Sequence, residues 1–188
     1  GAVVFDAPGG TFRDEMYAEY KADRPRMPSK LSIQIPWIHK VVEAHDFPML
    51  SVVGYEADDV IGTLTTQAVE AGHEVRIIAP DKDFVQLIGP QVKMIDTMRD
   101  ITYDEEVSRK KWGVPTSRFI DLLALLGDKV DNVPGVPGIG QKGAAALLEK
   151  YGSLDAILDN VEDLKGRQKA NLIEFREQAL LSRDLVRI

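Results

Sequence analysis

Gly127-Asp128-Lys129-Val130-Asp131-Asn132-Val133-Pro134-Gly135-Val136-Pro137-Gly138-Ile139-Gly140 brings two kinds of chemistry into one short stretch. Asp128 and Asp131 follow the apolar run Phe119 to Leu126 and are spaced so that both carboxylates can point to one side. Hard divalent cations take oxygen ligands of this kind, usually one or two from any one element. The glycines then lead into Gln141 to Tyr151, which reads as a helix. Glycines before a helix N-terminus let backbone N–H groups approach an anion. Taken alone, an Asp-x-x-Asp is an ordinary turn or cap, and a Gly/Pro-rich loop is an ordinary loop. Together they point to metal-assisted chemistry on a phosphate backbone.

Working outward, the chain of 188 residues can build one good core, with or without a smaller appended domain. With 44% hydrophobic and 28% charged residues it reads as a soluble globular protein. The absence of cysteine excludes disulfides and thiolate metal sites. No apolar run approaches the length of a membrane span, and no signal peptide is visible, so no membrane partner is expected. The chain enters a strand-like run at Ala2, an abrupt start that suggests a fragment. A net charge of −7 argues at first against nucleic acid. Setting aside the acids nominated below brings it to about +1 before any cation is added, so net charge decides nothing.

Upstream, Ala2 to Phe5 reads as a strand ending at Asp6, and Thr11 to Ala22 as a charged helix. Pro25 and Pro28 break the chain. Ser29 caps a second helix to about Ala44, with Pro36 forcing a kink or a late start. This polar segment, about 12–45, reads as an insertion standing off the body. An α/β rhythm follows. Met49 to Val53 reads as a strand, Ala57 to Ala71 as a helix closed by Gly72, and Glu74 to Ala79 as a buried strand. A short helix from Lys82 to Ile88 and a strand from Val92 to Ile95 complete it. Such alternation predicts a mostly parallel sheet with helices on both faces. After about Asp104 everything reads as helix: Glu105 to Trp112, Ser117 to Leu126, Gln141 to Tyr151, Leu154 to Leu158 and Arg167 to Arg183. The expected division is 1–114 for the α/β part and 115–188 for the helical part.

Acids stand at three successive strand ends: Asp6, then Glu56, Asp58 and Asp59, then Asp81 and Asp83. In open parallel sheets, sites form outside the carboxyl ends of the strands. So many carboxylates repel one another unless cations neutralise them, and oxygen-only ligation favours Mg²⁺ or Mn²⁺. Two such ions with Asp128 and Asp131 would make a two-metal phosphodiesterase site. Any one of Asp58, Asp59 or Asp81 could instead merely cap a helix.

Ala2-Val3-Val4-Phe5-Asp6, Thr11-Phe12-Arg13-Asp14, Gly54-Tyr55-Glu56-Ala57-Asp58-Asp59-Val60-Ile61-Gly62, Asp81-Lys82-Asp83 and the Gly127–Gly140 stretch occur in that order. The chain thereby closely resembles, over nearly its whole length, the 5′-nuclease domain of bacterial DNA polymerase I and, more broadly, the flap endonuclease family. The resemblance implies an α/β core with a helical arch and a helix–three-turn–helix (helix-hairpin-helix) DNA clamp. It implies 5′-3′ exonuclease and 5′-flap endonuclease activity on flapped, nicked or branched DNA, in primer removal and repair. It further implies two Mg²⁺ or Mn²⁺ ions at Asp6, Glu56, Asp58, Asp59, Asp81, Asp83, Asp128 and Asp131, and a K⁺ ion at the hairpin. Tyr20, Lys21 and Arg24 match the arch motif that grips the 5′ strand, Lys21 and Arg24 as its catalytic cations. Gly138, Gly140 and Lys142 match the backbone-holding hairpin. A monomer in the bacterial cytoplasm, associated with the nucleoid and joined to a polymerase domain in the parent protein, is implied as well. Two departures stand out: the family's first strand and helix, with a further metal-site Asp, precede the point where this chain begins, and Pro80 replaces a usual glycine. A DNA-holding fragment with an incomplete metal site, or a PIN-type ribonuclease, are the alternatives.

Overall fold

The computed structural model describes residues 1–25 and 27–188. The chain opens with strand β1 (Val3–Val4), helix α1 (Phe12–Met16), helix α2 (Ser29–Ser32) and helix α3 (Ile35–Ala44). Strand β2 (Met49–Leu50), helix α4 (Ala57–Glu70) and strand β3 (Val75–Ile78) follow. A 3₁₀ turn (Lys82–Leu87) precedes strands β4 (Val92–Asp96) and β5 (Ile101–Tyr103) and helix α5 (Glu105–Trp112). The rest is helical: α6 (Phe119–Leu126), α7 (Gln141–Tyr151), α8 (Leu154–Asp159), α9 (Gly166–Glu174) and α10 (Arg176–Val186).

The α/β architecture and the helical second half agree with the sequence reading, but the strands are shorter and divided. β1 and β2 pair in parallel through Val3↔Met49 and Val4↔Leu50. β3 and β4 pair in parallel, and β5 adds antiparallel to β4. Among the described residues, two small sheets therefore replace the single sheet. Only the middle of the second one is well covered: β4 alternates buried and half-buried residues, whereas Ile78 in β3 is 60% exposed. The Met49–Val53 run stops pairing after Leu50, and Val53 is 76% exposed. β5 escaped the sequence reading because its Ile101-Thr102-Tyr103 is too short to establish a period.

The segment before β2 also departs from expectation. Helix α1 ends at Met16, where Tyr17 turns extended, so the helix expected to Ala22 is a single turn and a half followed by turns. The second helix is two: α2 is preceded by Pro28 rather than capped by Ser29, and α3 starts late with Pro36 in its first turn. α3 exposes Trp37 and Val41, as an insertion standing off the body would. Its neighbours do not stand off, since Arg13 and Tyr20 are buried.

The core centres on α6. Its sequence is apolar apart from Asp121, which accepts the Leu154 N–H, and Phe119, Leu122, Ala124 and Leu125 are fully buried. α7, α8 and α10 pack around it. The helix expected over Arg167 to Arg183 breaks at Phe175, which lets Leu172 and Leu185 both reach this core. Gly127 and Gly135 meet back to back where α6 ends. Both have positive φ, and a Cβ on Gly135 would lie 2.3 Å from the Gly127 nitrogen. Here glycine is needed for backbone approach rather than for a phosphate. Gly135→Ala is therefore expected to lower stability by about 2–4 kcal/mol. An unchanged urea midpoint would show that the loop opens without strain.

Candidate metal centre

The loop after α6 is closed by a two-way backbone pair, Asp128 N–H to the Val133 carbonyl (2.9 Å) and Val133 N–H to the Asp128 carbonyl (2.7 Å). Asn132 takes a left-handed φ of 56° inside it. This closure, rather than helical spacing, turns Asp128 and Asp131 to the same side. Asp83, on the 3₁₀ turn after β3, comes to meet them. Carboxylate oxygens of Asp83, Asp128 and Asp131 lie within 4.8 Å of one another. Asp128 is buried, and the side chain of Asp131 is only 13% exposed.

The other acids divide. Glu56 and Asp58, at the start of α4, line one small cavity with Asp83, Asp128 and Asp131. Its volume of ≈ 10 Å³ accommodates about one water-sized particle. Asp81 lies on the open side, in a cleft of ≈ 400 Å³ shared with Asp83, Asp128 and Asp131. Its Oδ1 accepts from the Asp83 N–H, a cap that orders the turn. Asp6 accepts from the Ala57 N–H at 2.8 Å and so ties the end of β1 to α4. Asp59 is directed elsewhere. Both of its oxygens take the Arg13 guanidinium (2.8 and 2.7 Å), and Oδ2 also caps the Glu56 N–H. Charge-assisted bonds thus engage both of its oxygens and make it an anchor for Arg13 in this structure.

Cations are built into the same place. Tyr20 donates its hydroxyl to Glu56 (3.1 Å), and the Lys21 ammonium lies 2.5 Å from the other Glu56 oxygen and 3.7 Å from Asp131. Arg24 pairs with Asp131. Burial, then Glu56, pushes the Tyr20 hydroxyl well above its ordinary range, which keeps it a proton donor. Lys21 holds a left-handed φ of 53° while its N–H bonds the Asp131 carbonyl, a conformation that needs such anchoring. Arg13 and Lys82 were not singled out from the sequence. Arg13, 1% exposed, joins α1 to Asp59 and to the Leu185 and Arg187 carbonyls. Lys82 bonds Asp128 and Asp83. Its position between two acids in Asp81-Lys82-Asp83 was the available signal.

At the other end of the loop, Gly138 has φ 77° and Gly140 caps α7 with no neighbour within 4 Å of where its Cβ would be. Among the described residues, the N–H groups of Gly138 and Gly140 have no protein partner. Lys142 stands exposed on the first turn of α7. The geometry leaves this hairpin open to an anion and separate from the acids.

An all-oxygen donor set, a particle-sized cavity and unrelieved negative charge fit a divalent cation. Burial, then Asp81 and Glu56, pushes the Asp58 carboxyl up to about 7. Burial pushes Asp83 up to about 6, opposed by Lys82 and aided by Asp81. Each group binds a proton in the folded chain at pH values where the unfolded chain has already released it. Without metal, stability should therefore fall as pH rises through about 6 to 7, and a divalent ion should remove the slope. Thermal melts in chelator across that window check this, and a midpoint that rises with pH would contradict it.

Comparison with known proteins matches the chain to two family descriptions. Residues 1–113 match the 5′-3′ exonuclease N-terminal resolvase-like domain, and residues 114–188 the 5′-3′ exonuclease C-terminal SAM fold. It is 44% identical to DNA polymerase I of Rhizobium leguminosarum over 100% of this chain and 18% of that one. It is 47% identical to a 5′-3′ exonuclease of Aquifex aeolicus over 85% of this chain and 55% of that one. The chain thus spans only part of these relatives. Among solved structures, the flap endonuclease of bacteriophage T5 in a complex with DNA and metal ions superposes with a TM-score of 0.84. That match has 25% identity over 98% of this chain and 72% of the other. On the family matches, which together run through both halves, this chain belongs to the 5′-3′ exonuclease family.

Proposed function

We propose that this chain hydrolyses phosphodiester bonds at 5′ ends and 5′ flaps of DNA, using two divalent ions, Mg²⁺ or Mn²⁺. The observation that carries the reading is the convergence of Asp83, Asp128 and Asp131 within 4.8 Å, beside Glu56 and Asp58 and on an open cleft. Asp83, Asp128 and Asp131 would hold one ion, and Asp58, Glu56, Asp81 and Asp6 would serve the other. Asp59 acts through Arg13. When bound, the ions supply Lewis-acid stabilisation of the scissile phosphate and activation of the attacking water. Lys21 and Arg24 leave their acids to hold phosphate oxygens of the 5′ strand, and Tyr20 positions Glu56. Gly138, Gly140 and Lys142 hold the duplex backbone irrespective of sequence, with K⁺ at the hairpin. Flapped, nicked or branched duplex is the substrate. The bacteriophage T5 relative complexed with DNA and metal ions supports this reading.

Further parts of the proposal are a division near Val114, a monomeric state and action in primer removal and repair at the bacterial nucleoid. Relatives named DNA polymerase I support a polymerase domain in the same parent protein. Among the described residues, no helix is long and apolar enough to cross a membrane.

A 5′-labelled flap duplex, incubated with Mg²⁺ or with chelator, tests the activity. Metal-dependent release of a short 5′ product is expected, and binding without product would reduce the chain to a DNA-holding unit. Asp128→Asn should lower cleavage by about 10² or more while binding persists, as measured by single-turnover assay; unchanged turnover refutes a metal role. Lys142→Ala should weaken binding to all sequences alike and reduce the salt slope by about 1. A sequence-dependent loss would count against a backbone contact.

A further inference from the structure

Among the described residues, three cations sit on the converging acids, and one of them is tethered between two of those acids in the chain. Lys21 and Arg24 belong to the segment between α1 and α2 and reach the acids from outside. Lys82 is flanked directly by Asp81 and Asp83 on the 3₁₀ turn. Its ammonium is 2.5 Å from Asp128 Oδ2 and 3.1 Å from Asp83 Oδ1, so it bridges two of the three converging carboxylates. Asp128 is 7% exposed, and a buried carboxylate without a partner is strongly destabilising. The ammonium provides that partner. It is also a single positive charge where the donor set suits a double one, and an ammonium and a divalent ion held on the same carboxylates would repel each other.

We propose that Lys82 is a tethered counter-ion for Asp83 and Asp128 that competes with the divalent cation. Metal loading and release of the ammonium are then one event. The same side chain lines the ≈ 400 Å³ cleft together with Arg24, Arg99 and Lys111. Once released from the acids, its charge stays on a wall already populated by cations. A phosphate backbone entering the cleft would meet one more positive group when metal is present than when it is absent. Loading the centre thereby prepares the cleft for its anionic substrate, and an unloaded chain remains folded because the lysine holds the acids together.

This inference rests on the metal reading above, and its test keeps the two apart by using no DNA. Mn²⁺ titration, followed by the electron paramagnetic resonance of the free ion, is carried out on the parent chain, Lys82→Met and Lys82→Arg. The expected result is Mn²⁺ affinity about tenfold tighter for Lys82→Met than for the parent, from losing a charged hydrogen-bonded competitor. Lys82→Arg should stay near the parent. Thermal melts give the independent readout: Lys82→Met should melt lower than the parent in chelator and gain more from saturating Mn²⁺. Equal or weaker Mn²⁺ affinity in Lys82→Met overturns the competition while leaving the metal centre intact. No Mn²⁺ binding by the parent overturns both.

Discussion

Carboxylates from well-separated parts of the chain are forced together, and like charges at that spacing repel more strongly as water is excluded. The molecule answers with cations on every approach: Arg13 behind Asp59 and Glu56, Lys21 and Arg24 from one side, and Lys82 from within. Burial first, and the neighbouring Asp81 carboxylate after it, push the Asp58 and Asp83 carboxyls well above the ordinary range, against the pull of Lys82 on Asp83. A centre that is incompletely neutralised by its own side chains is a centre with affinity for a further cation. The same imbalance that makes the site costly to fold is what makes it suited to metal.

Holding such a cluster in register needs rigid supports from several directions. The α6 core supplies one, because the Asp128–Val133 closure begins at the end of that largely buried helix. The contact of Gly127 with Gly135 fixes where the loop turns, and Ser182 of α10 accepts the Gly135 N–H at 3.0 Å. Arg13 supplies the other support. Its guanidinium ties α1, α4 and the residues around the end of α10 into one joint beside the cavity. An arginine suits this position because its planar fork satisfies a carboxylate bidentately and still reaches carbonyls.

The acids and the glycine hairpin were legible early because their chemistry is local. Strand ends followed by Asp, and glycines before a helix, are patterns that neighbouring residues define. The division of labour among the acids was not. Asp58 and Asp59 are adjacent and indistinguishable as letters, yet one faces the cavity and the other is saturated by a residue far away in the chain. Gly135 and Gly138 both looked like phosphate-binding glycines, and only the first has another backbone pressed against it. Tyr20 and Arg13 sit in a charged, polar segment whose composition gives no sign of burial.

Alone, the sequence determined the α/β-then-helical order, the inventory of acids and the hairpin, because periodicity and local backbone chemistry write themselves into consecutive residues. Tertiary structure decided which carboxylates converge, which one is bound by arginine, how the strands divide into two sheets and where Lys82 rests. Those outcomes depend on distances between residues remote in the chain, and Coulomb energy is a function of that distance, not of sequence separation.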